Sequence, residues 1–422
     1  MPRNRIIYQS EVLYCGPSPA TGFHFKSGAS NRVGATLAGD LGSGMASGLV
    51  QQLHRVQDIS YSFSVDRTDV NQFGELAAID RVVLTPPTVS LDFSYLLNSF
   101  SNEKLLGLTV DTSGNVSAIK NLLNKTSDER NYFIKTVGEG VDAIGEGNTA
   151  SDVISIGNGF LTNYGVEASV GSFPSVKISV EGLNMAFETG LATGTFFTLP
   201  SVNPENGTRS SNKYILPIAT GNAGPGDLDI SVLRPGDITF SIKRRDASSE
   251  GYLTAATGAY TTPGQNLDDN ADRKIQSFNI GLSLKRSPIS KLGSRYAFSR
   301  EIDFPVQVTS TIEALVTDLT TGSLTDLVNF DEAYDLSMNI NKPGEGGAAS
   351  SGTAVRYMLR NCKVTSQAYK SSIGANKMVT IDFTSQIGGP NQTTVGLFMS
   401  GVTSDLASVV NNDIKIAGST VQ

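Results

Sequence analysis

The chain repeats itself. Residues 55–96, beginning RVQDISYSFS, align without a gap with residues 274–315, beginning KIQSFNIGLS. Identical pairs fall at Gln57/Gln276, Ser64/Ser283, Arg67/Arg286, Gly74/Gly293, Ala78/Ala297, Arg81/Arg300, Pro86/Pro305, Val89/Val308 and Leu96/Leu315. Apolar positions correspond too, as at Val56/Ile275, Phe63/Leu282 and Val65/Leu284. A second pair of segments, 157–182 and 360–385, follows in the same order and shares Asn158/Asn361, Thr162/Thr365, Ser169/Ser372 and Gly171/Gly374. Two hairpins can look alike by pattern alone. Two collinear blocks favour a duplicated unit, which limits the fold to one architecture used twice.

The unit reads as β-rich. Ile59, Tyr61, Phe63 and Val65 alternate with polar residues, as do Ile280, Leu282 and Leu284. That period of two marks a half-buried strand. A polar, Gly-containing arm follows in each block, and a returning strand then alternates again at Val89, Leu91, Phe93 and Tyr95. The arm is too long for a two-residue turn, so it is expected to project or to pack on something. The segments NEKLLGL and SAIKNLLNKTSDE, with Ile119, Leu122 and Leu123 at helical spacing, predict a helix in the first copy, and Leu324 to Phe330 a shorter one in the second. Strands are predicted at Tyr132–Val137 and Tyr334–Ile340, with further strands at Ile6–Tyr14 and within Ile230–Arg244. The expected fold is mainly β: two tandem β-sandwich or half-barrel domains, each with a flanking helix and a long projecting hairpin. The expected division is 1–195, a connection at 196–226 containing Pro200, Pro204, Pro217 and Pro225, and 227–422. Loops rich in small residues, 34–48 and 248–265, precede the two blocks and look mobile until a partner orders them.

Composition narrows the function. Charged residues make up 17%, Gly is frequent at 43 residues, and there is no Trp. A net charge of −7 argues against tight general nucleic-acid binding, which needs a basic field, but suits a surface that DNA passes without sticking. Cys15 and Cys362, in opposite halves, form no disulfide framework and fit a reducing cytoplasm. Neither a signal-peptide core nor an apolar run of membrane-spanning length is present, so no membrane association is expected.

No catalytic constellation stands out, and no cofactor or metal is expected. His24 and His54 are the two histidines, and the counterpart of His54 is Arg273. The motifs GxSxG, GxxxxGK[ST], HExxH and CxxC do not occur. Asp268, Asn270 and Asp272 alternate like the start of a calcium loop, but Arg273 and Asn279 stand where its Gly and Glu belong. The scattered carboxylates of 139–152 are interrupted by Gly and suit a flexible loop or conduit lining better than a metal site.

The projecting arms carry the candidate interface. Arg67, Arg81, Arg286 and Arg300 frame them. Either these end strands and bond locally, or they pair between subunits, where Arg is favoured. Phe73 and Leu292 stand just before Gly74 and Gly293, apolar residues at polar tips, a common form of docking anchor. Asn71 lies beside them.

The segments VQDISYSFSVDRTDVNQFGELAAIDRVVLTPPTVSLDFSYLLN and GFLTNYGVEASVGSFPSVKISVEGLN resemble the tail-tube proteins of tailed bacteriophages. The resemblance covers most of the first copy, and the second repeats it more loosely. It implies a structural virion protein, made in the host bacterial cytoplasm. Its sheets would join between subunits around a lumen, removing exposed edges. Its arms would reach the adjacent ring and set the stacking register. The implied partners are further copies of the chain, stacked neighbouring rings, a tape-measure protein, possible sheath or terminator proteins, and DNA in transit without specific binding. Rings in the family commonly present six units, so a duplicated chain favours a trimeric, pseudo-sixfold ring, with a hexameric ring as the alternative. It is also open whether only the first copy lines the tube. A baseplate hub or tail-completion protein is the nearest alternative. A carbohydrate-binding adhesin or fibre would call for aromatic platforms, and an enzyme such as a cell-wall hydrolase for paired carboxylates or a His-centred motif.

Overall fold

The computed structural model describes residues 10–17, 32–33, 50–123, 128–138, 141–144, 151–191, 197–204, 206–209, 213–214, 216, 219, 232–245, 274–293, 296–315, 333–342, 353–373 and 376–401. The strands are β1 (Glu11–Pro17), β2 (Arg32–Val33), β3 (Gln51–Gln52), β4 (Val56–Ser64), β5 (Arg67–Val70), β6 (Asp80–Val83), β7 (Thr88–Leu96), β8 (Glu129–Thr136), β9 (Ser151–Ser169), β10 (Ser175–Gly182) and β11 (Asn184–Leu191). They continue with β12 (Phe197–Thr198), β13 (Lys213–Tyr214), β14 (Ile238–Arg245), β15 (Lys274–Ser283), β16 (Arg286–Ile289), β17 (Ser299–Ile302), β18 (Val306–Leu315), β19 (Ala333–Asn341), β20 (Thr353–Lys370), β21 (Met378–Ile387) and β22 (Gly396–Gly401). The chain is mainly β, and 15 of these strands belong to one branched antiparallel sheet.

The same strand order and register occur twice. β4 pairs β7, β7 pairs β10, β10 pairs β9, and β9 also pairs β8 and β11. Likewise β15 pairs β18, β18 pairs β21, β21 pairs β20, and β20 also pairs β19 and β22. Irregularities recur at matching places. The ladder skips Gln57 between Val56 and Asp58, and Gln276 between Ile275 and Ser277. It skips Thr162 in β9 and Thr365 in β20. These are shared residues of the sequence repeat, and a bulge re-aims a strand by one extra residue.

The long strands β9 and β20 each serve two sets of neighbours. The first part of β9 lies between β8 and β11, and its later part lies beside β10 and β15. The change of partners coincides with Asn158, which has φ 54, and with Asn361 in β20, which has φ 58. The left-handed region is costly for most side chains, and Asn is among the few that adopt it. Each backbone N–H is held by a side chain from a bulge: Asn158 N–H donates to Asn131 Oδ1 (3.2 Å), and Asn361 N–H donates to Asp335 Oδ1 (2.8 Å). Replacing Asn361 with Val is therefore expected to destabilise the fold by about 1–2 kcal/mol, whereas Gly, which adopts this conformation freely, should be tolerated. Urea midpoints of the two variants check this; equal loss in both would point to the side chain rather than the backbone.

Alternation explains the core. Val89, Leu91, Phe93 and Tyr95 of β7 are buried, as are Val306, Val308, Ile312 and Ala314 of β18. One hydrophobic cluster takes in both halves, with Phe93, Ile178, Ile312 and Phe383 among its members. A second cluster joins Tyr14 and Phe133 to Phe197, Leu199 and Ala219, which fall in the predicted connection.

Helix is scarcer than the sequence predicts. Among the described residues, α1 (Ser101–Leu105) is an α-helix, Asp128 is also helical, and SAIKNLL contributes a single 3-10 turn at Asn121–Leu123, while residues 124–127 of the predicted helix lie outside the described residues. The apolar spacing there is satisfied locally: Ala118, Ile119 and Leu122 are buried, and Ala118 N–H donates to the Leu397 carbonyl of β22 (2.9 Å). The predicted strands at 132–137 and 334–340 are present as β8 and β19. The first strand runs Glu11–Pro17, later than predicted, and β14 begins at Ile238 after a 3-10 turn at Pro235–Asp237. The second predicted helix (324–330), the loops 34–48 and 248–265, His24, the Asp268–Asp272 cluster and residues 6–9 lie outside the described residues, as does most of 139–150.

Candidate assembly interface

The two arms are formed alike and placed differently. β5 pairs β6, and β16 pairs β17, each as a two-stranded hairpin separate from the main sheet. Gly74 (φ 96) and Gly293 (φ 83) sit at corresponding tip positions. A Cβ at either would meet nothing within 4 Å, so conformation alone requires glycine there.

The second arm is clamped to the first half of the chain. The Arg286 guanidinium donates to both carboxylate oxygens of Asp128, each at 2.6 Å. It also donates to the carbonyls of Leu161 (3.1 Å) and Arg300 (3.0 Å), and lies 5.2 Å from the centre of the Phe160 ring. Burial pushes the Asp128 carboxyl above its ordinary range, against the downward pull of Arg286. Arg300 donates to Glu181. Tyr296 is buried with Leu183 and Val202.

The first arm stands clear. Every residue of β5 and β6 is exposed. Arg81 pairs at 2.9 Å with Asp69 of the same arm. Phe73 and Leu76 are fully exposed, and Ile79 and Leu84 largely so. Of the predicted interface residues, Arg286 and Arg300 thus engage their own chain, while Arg67, Asn71, Phe73, Gly74, Arg81, Leu292 and Gly293 remain on the surface. The repeat pattern treats the two arms as equals. Asp128 is remote in sequence from Arg286, so the alignment carries no sign of the clamp.

The halves are sewn together by β15, whose residues Ser277–Ser283 pair antiparallel with Asn163–Ser169 of β9. Beneath this joint a polar cluster lies in the core. The Tyr95 and Tyr164 hydroxyls donate to Glu103 Oε1 (2.8 and 3.1 Å), and Tyr164 and Tyr357 share a hydroxyl–hydroxyl bond of 2.8 Å. Phe100 packs edge-on against Tyr357 at 5.0 Å. Burial pushes the Glu103 carboxyl up to about 7, and it raises all three tyrosines. Sequence reasoning missed this cluster. Its one trace is a lone carboxylate inside the apolar segment NEKLLGL.

Two strand edges that match the joint are left over. Among the described residues β4 pairs only β7, and the end of β20, Lys363–Lys370, pairs only β21. Their inward-facing residues are correspondingly uncovered. Phe63 is 48% exposed where its counterpart Leu282 is 0%, and Tyr369 is 46% exposed where its counterpart Val166 is 1%.

No protein-family model and no curated protein matches the chain. Among solved structures, it is similar to a chain of the anti-feeding prophage (AFP) baseplate, at 11% identity and a TM-score of 0.26 over 39% of this chain and 93% of that one. It is similar to a chain of the SPP1 tail tube, at 10% identity and a TM-score of 0.26 over 44% of this chain and 81% of that one. A chain of the sheath-tube complex of an extracellular contractile injection system, PVC, in its extended state aligns at 12% identity and a TM-score of 0.24, over 39% of this chain and 88% of that one. Among the described residues, no group of three or more His, Cys, Asp or Glu side chains is placed to hold a metal, and no helix is long and apolar enough to cross a membrane.

Proposed function

We propose that this chain is a non-catalytic building block of a phage-type tail tube. In this reading it carries two tandem tube-like domains, assembles into rings, and the rings stack around a conduit for a tape-measure protein and DNA. The observation that carries the reading is the recurrence of one strand register, bulges included, with the second set added edge-to-edge onto the first. Such an arrangement extends a sheet one unit at a time. A sheet with long free edges is prone to aggregation unless a defined partner pairs them, and closure into a ring removes them. The sequence resemblance to tail-tube proteins agrees with this, and the acidic net charge suits a passage for DNA. Three chains per ring, giving six units, is the favoured stoichiometry, and six chains the alternative. The virion tail is the proposed location.

The free first arm is the proposed stacking element, with Phe73 and Leu76 as anchors for the next ring. Deleting residues 69–79 leaves Asp80 and Arg81 as a two-residue link between Thr68 and Val82, which pair in β5 and β6. That is the length of a tight hairpin turn, so the body is expected to fold. Electron microscopy of the purified full chain should show hollow filaments. The deletion should show isolated rings with an unchanged circular-dichroism spectrum. Full-length protein that stays monomeric at high concentration would overturn the tube reading. Normal filaments from the deletion would remove the arm from stacking.

A further inference from the structure

Resting on the ring-building reading, we infer the strand pairing that joins one chain to the next: β4 of one copy lies antiparallel to the end of β20 of another, in the register already present between β15 and β9. Within the chain, Gly281 stands opposite Gly165, Asn279 opposite Glu167, and Ser277 opposite Ser169. The repeat maps these onto Ser62 opposite Ala368, Ser60 opposite Lys370, and Asp58 opposite Ser372.

The transfer is geometrically consistent. β4 carries the bulge of β15 at the same place, and the end of β20 carries the bulge of β9 at the same place. The two edges, which have no second strand among the described residues, therefore repeat the register irregularities of the two edges that meet inside the chain. Register in such a pairing is set by which face is buried, because a one-residue slip turns every side chain over. In the inferred register Tyr61 faces Tyr369 and Phe63 faces Gln367 on the inner side, covering the side chains that the single chain leaves half-exposed. On the outer side Lys370 of one copy lies diagonal to Asp58 of the other, an opposite-charge neighbour.

This seam lacks two clamps of its internal model. Glu181, which holds Arg300, corresponds to Thr384, and Phe160, beneath Arg286, corresponds to Lys363. At the seam Arg81 therefore meets no carboxylate at that place, and Arg67 meets a like charge. Dilution should open the assembly at this seam and leave the β9–β15 joint intact.

Cysteine pairs test the register on the full-length chain. Ser62→Cys with Ala368→Cys places two thiols on directly opposed residues, within the Cα separation a disulfide accepts. Ser62→Cys with Lys370→Cys puts them on the diagonal, beyond it. Both pairs lie on exposed positions, so folding is not at risk. Cys15 and Cys362 are buried, and blocking the remaining free thiols before denaturation keeps them out of the readout. After mild oxidation, the direct pair is expected to shift most of the chain to covalent multimers on a non-reducing gel, reversed by reductant, and the diagonal pair to leave it at monomer mass. Rings seen by microscopy with no cross-link from the direct pair, or with preferential cross-linking of the diagonal pair, would overturn this register and leave the ring reading standing. Absence of rings in the unsubstituted chain, with no cross-link from either pair, would overturn both.

Discussion

Arg286→Ala is expected to destabilise the folded chain by roughly 3–5 kcal/mol, the range for removing one partner of a buried pair. The Arg286 side chain is 3% exposed and that of Asp128 is 12% exposed, so the substitution strands a carboxylate with little access to water. The same guanidinium also satisfies the Leu161 and Arg300 carbonyls, and these lose a donor as well. Removing both partners should be milder than the first substitution alone, because Arg286→Ala with Asp128→Ala leaves no orphaned charge. Urea unfolding of the three variants separates the cases. A loss below about 1 kcal/mol for Arg286→Ala would mean that the pair behaves like a solvated surface bridge.

Stability is expected to fall between mildly acidic and mildly alkaline pH because of Glu103. Its carboxyl is raised from 4.5 to about 7, with burial the largest cause, and the hydrogen bonds from Tyr95 and Tyr164 pull it partly back down. The folded chain thus keeps a proton that the unfolded chain releases on crossing its lower pKa. The group's contribution is complete below the unfolded value and is lost as pH rises through the folded one. A shift of this size corresponds to about 3 kcal/mol. Glu11 and Asp128, also raised by burial, act in the same direction. Glu103→Gln isolates the contribution. Urea midpoints at pH 5 and pH 8 should differ markedly less in the variant than in the unsubstituted chain. An identical difference in the two would assign the effect elsewhere.

The legible part of this fold was what repeats locally. Alternation at Ile59–Val65 and Val89–Tyr95 announced strands, and the strands are there. Gln57/Gln276 and Asn158/Asn361 stood out as identities, and both prove to be places where the backbone departs from a regular ladder. Identity between the two aligned segments marks constraints on conformation as well as on the core, where Val89 and Val308 are both buried. Around Ile119–Leu123 the apolar spacing is met by one tight turn packed on β22, while residues 124–127 of the predicted helix lie outside the described residues. The candidate site was half legible. The arms and their glycines could be located, but the clamp of the second arm depends on Asp128, and the buried tyrosine cluster on Glu103 and Tyr357. No periodicity connects residues so distant along the chain.

The joint between β9 and β15 has a kinetic consequence. Each meeting of two separate molecules costs on the order of 4–15 kcal/mol of translational and rotational freedom. Where both edges belong to one polypeptide, that meeting becomes intramolecular and its effective concentration no longer depends on supply. In the proposed ring, half of the seams between units would then form within single chains, and the scarcity of free chains early in synthesis would delay only every second seam.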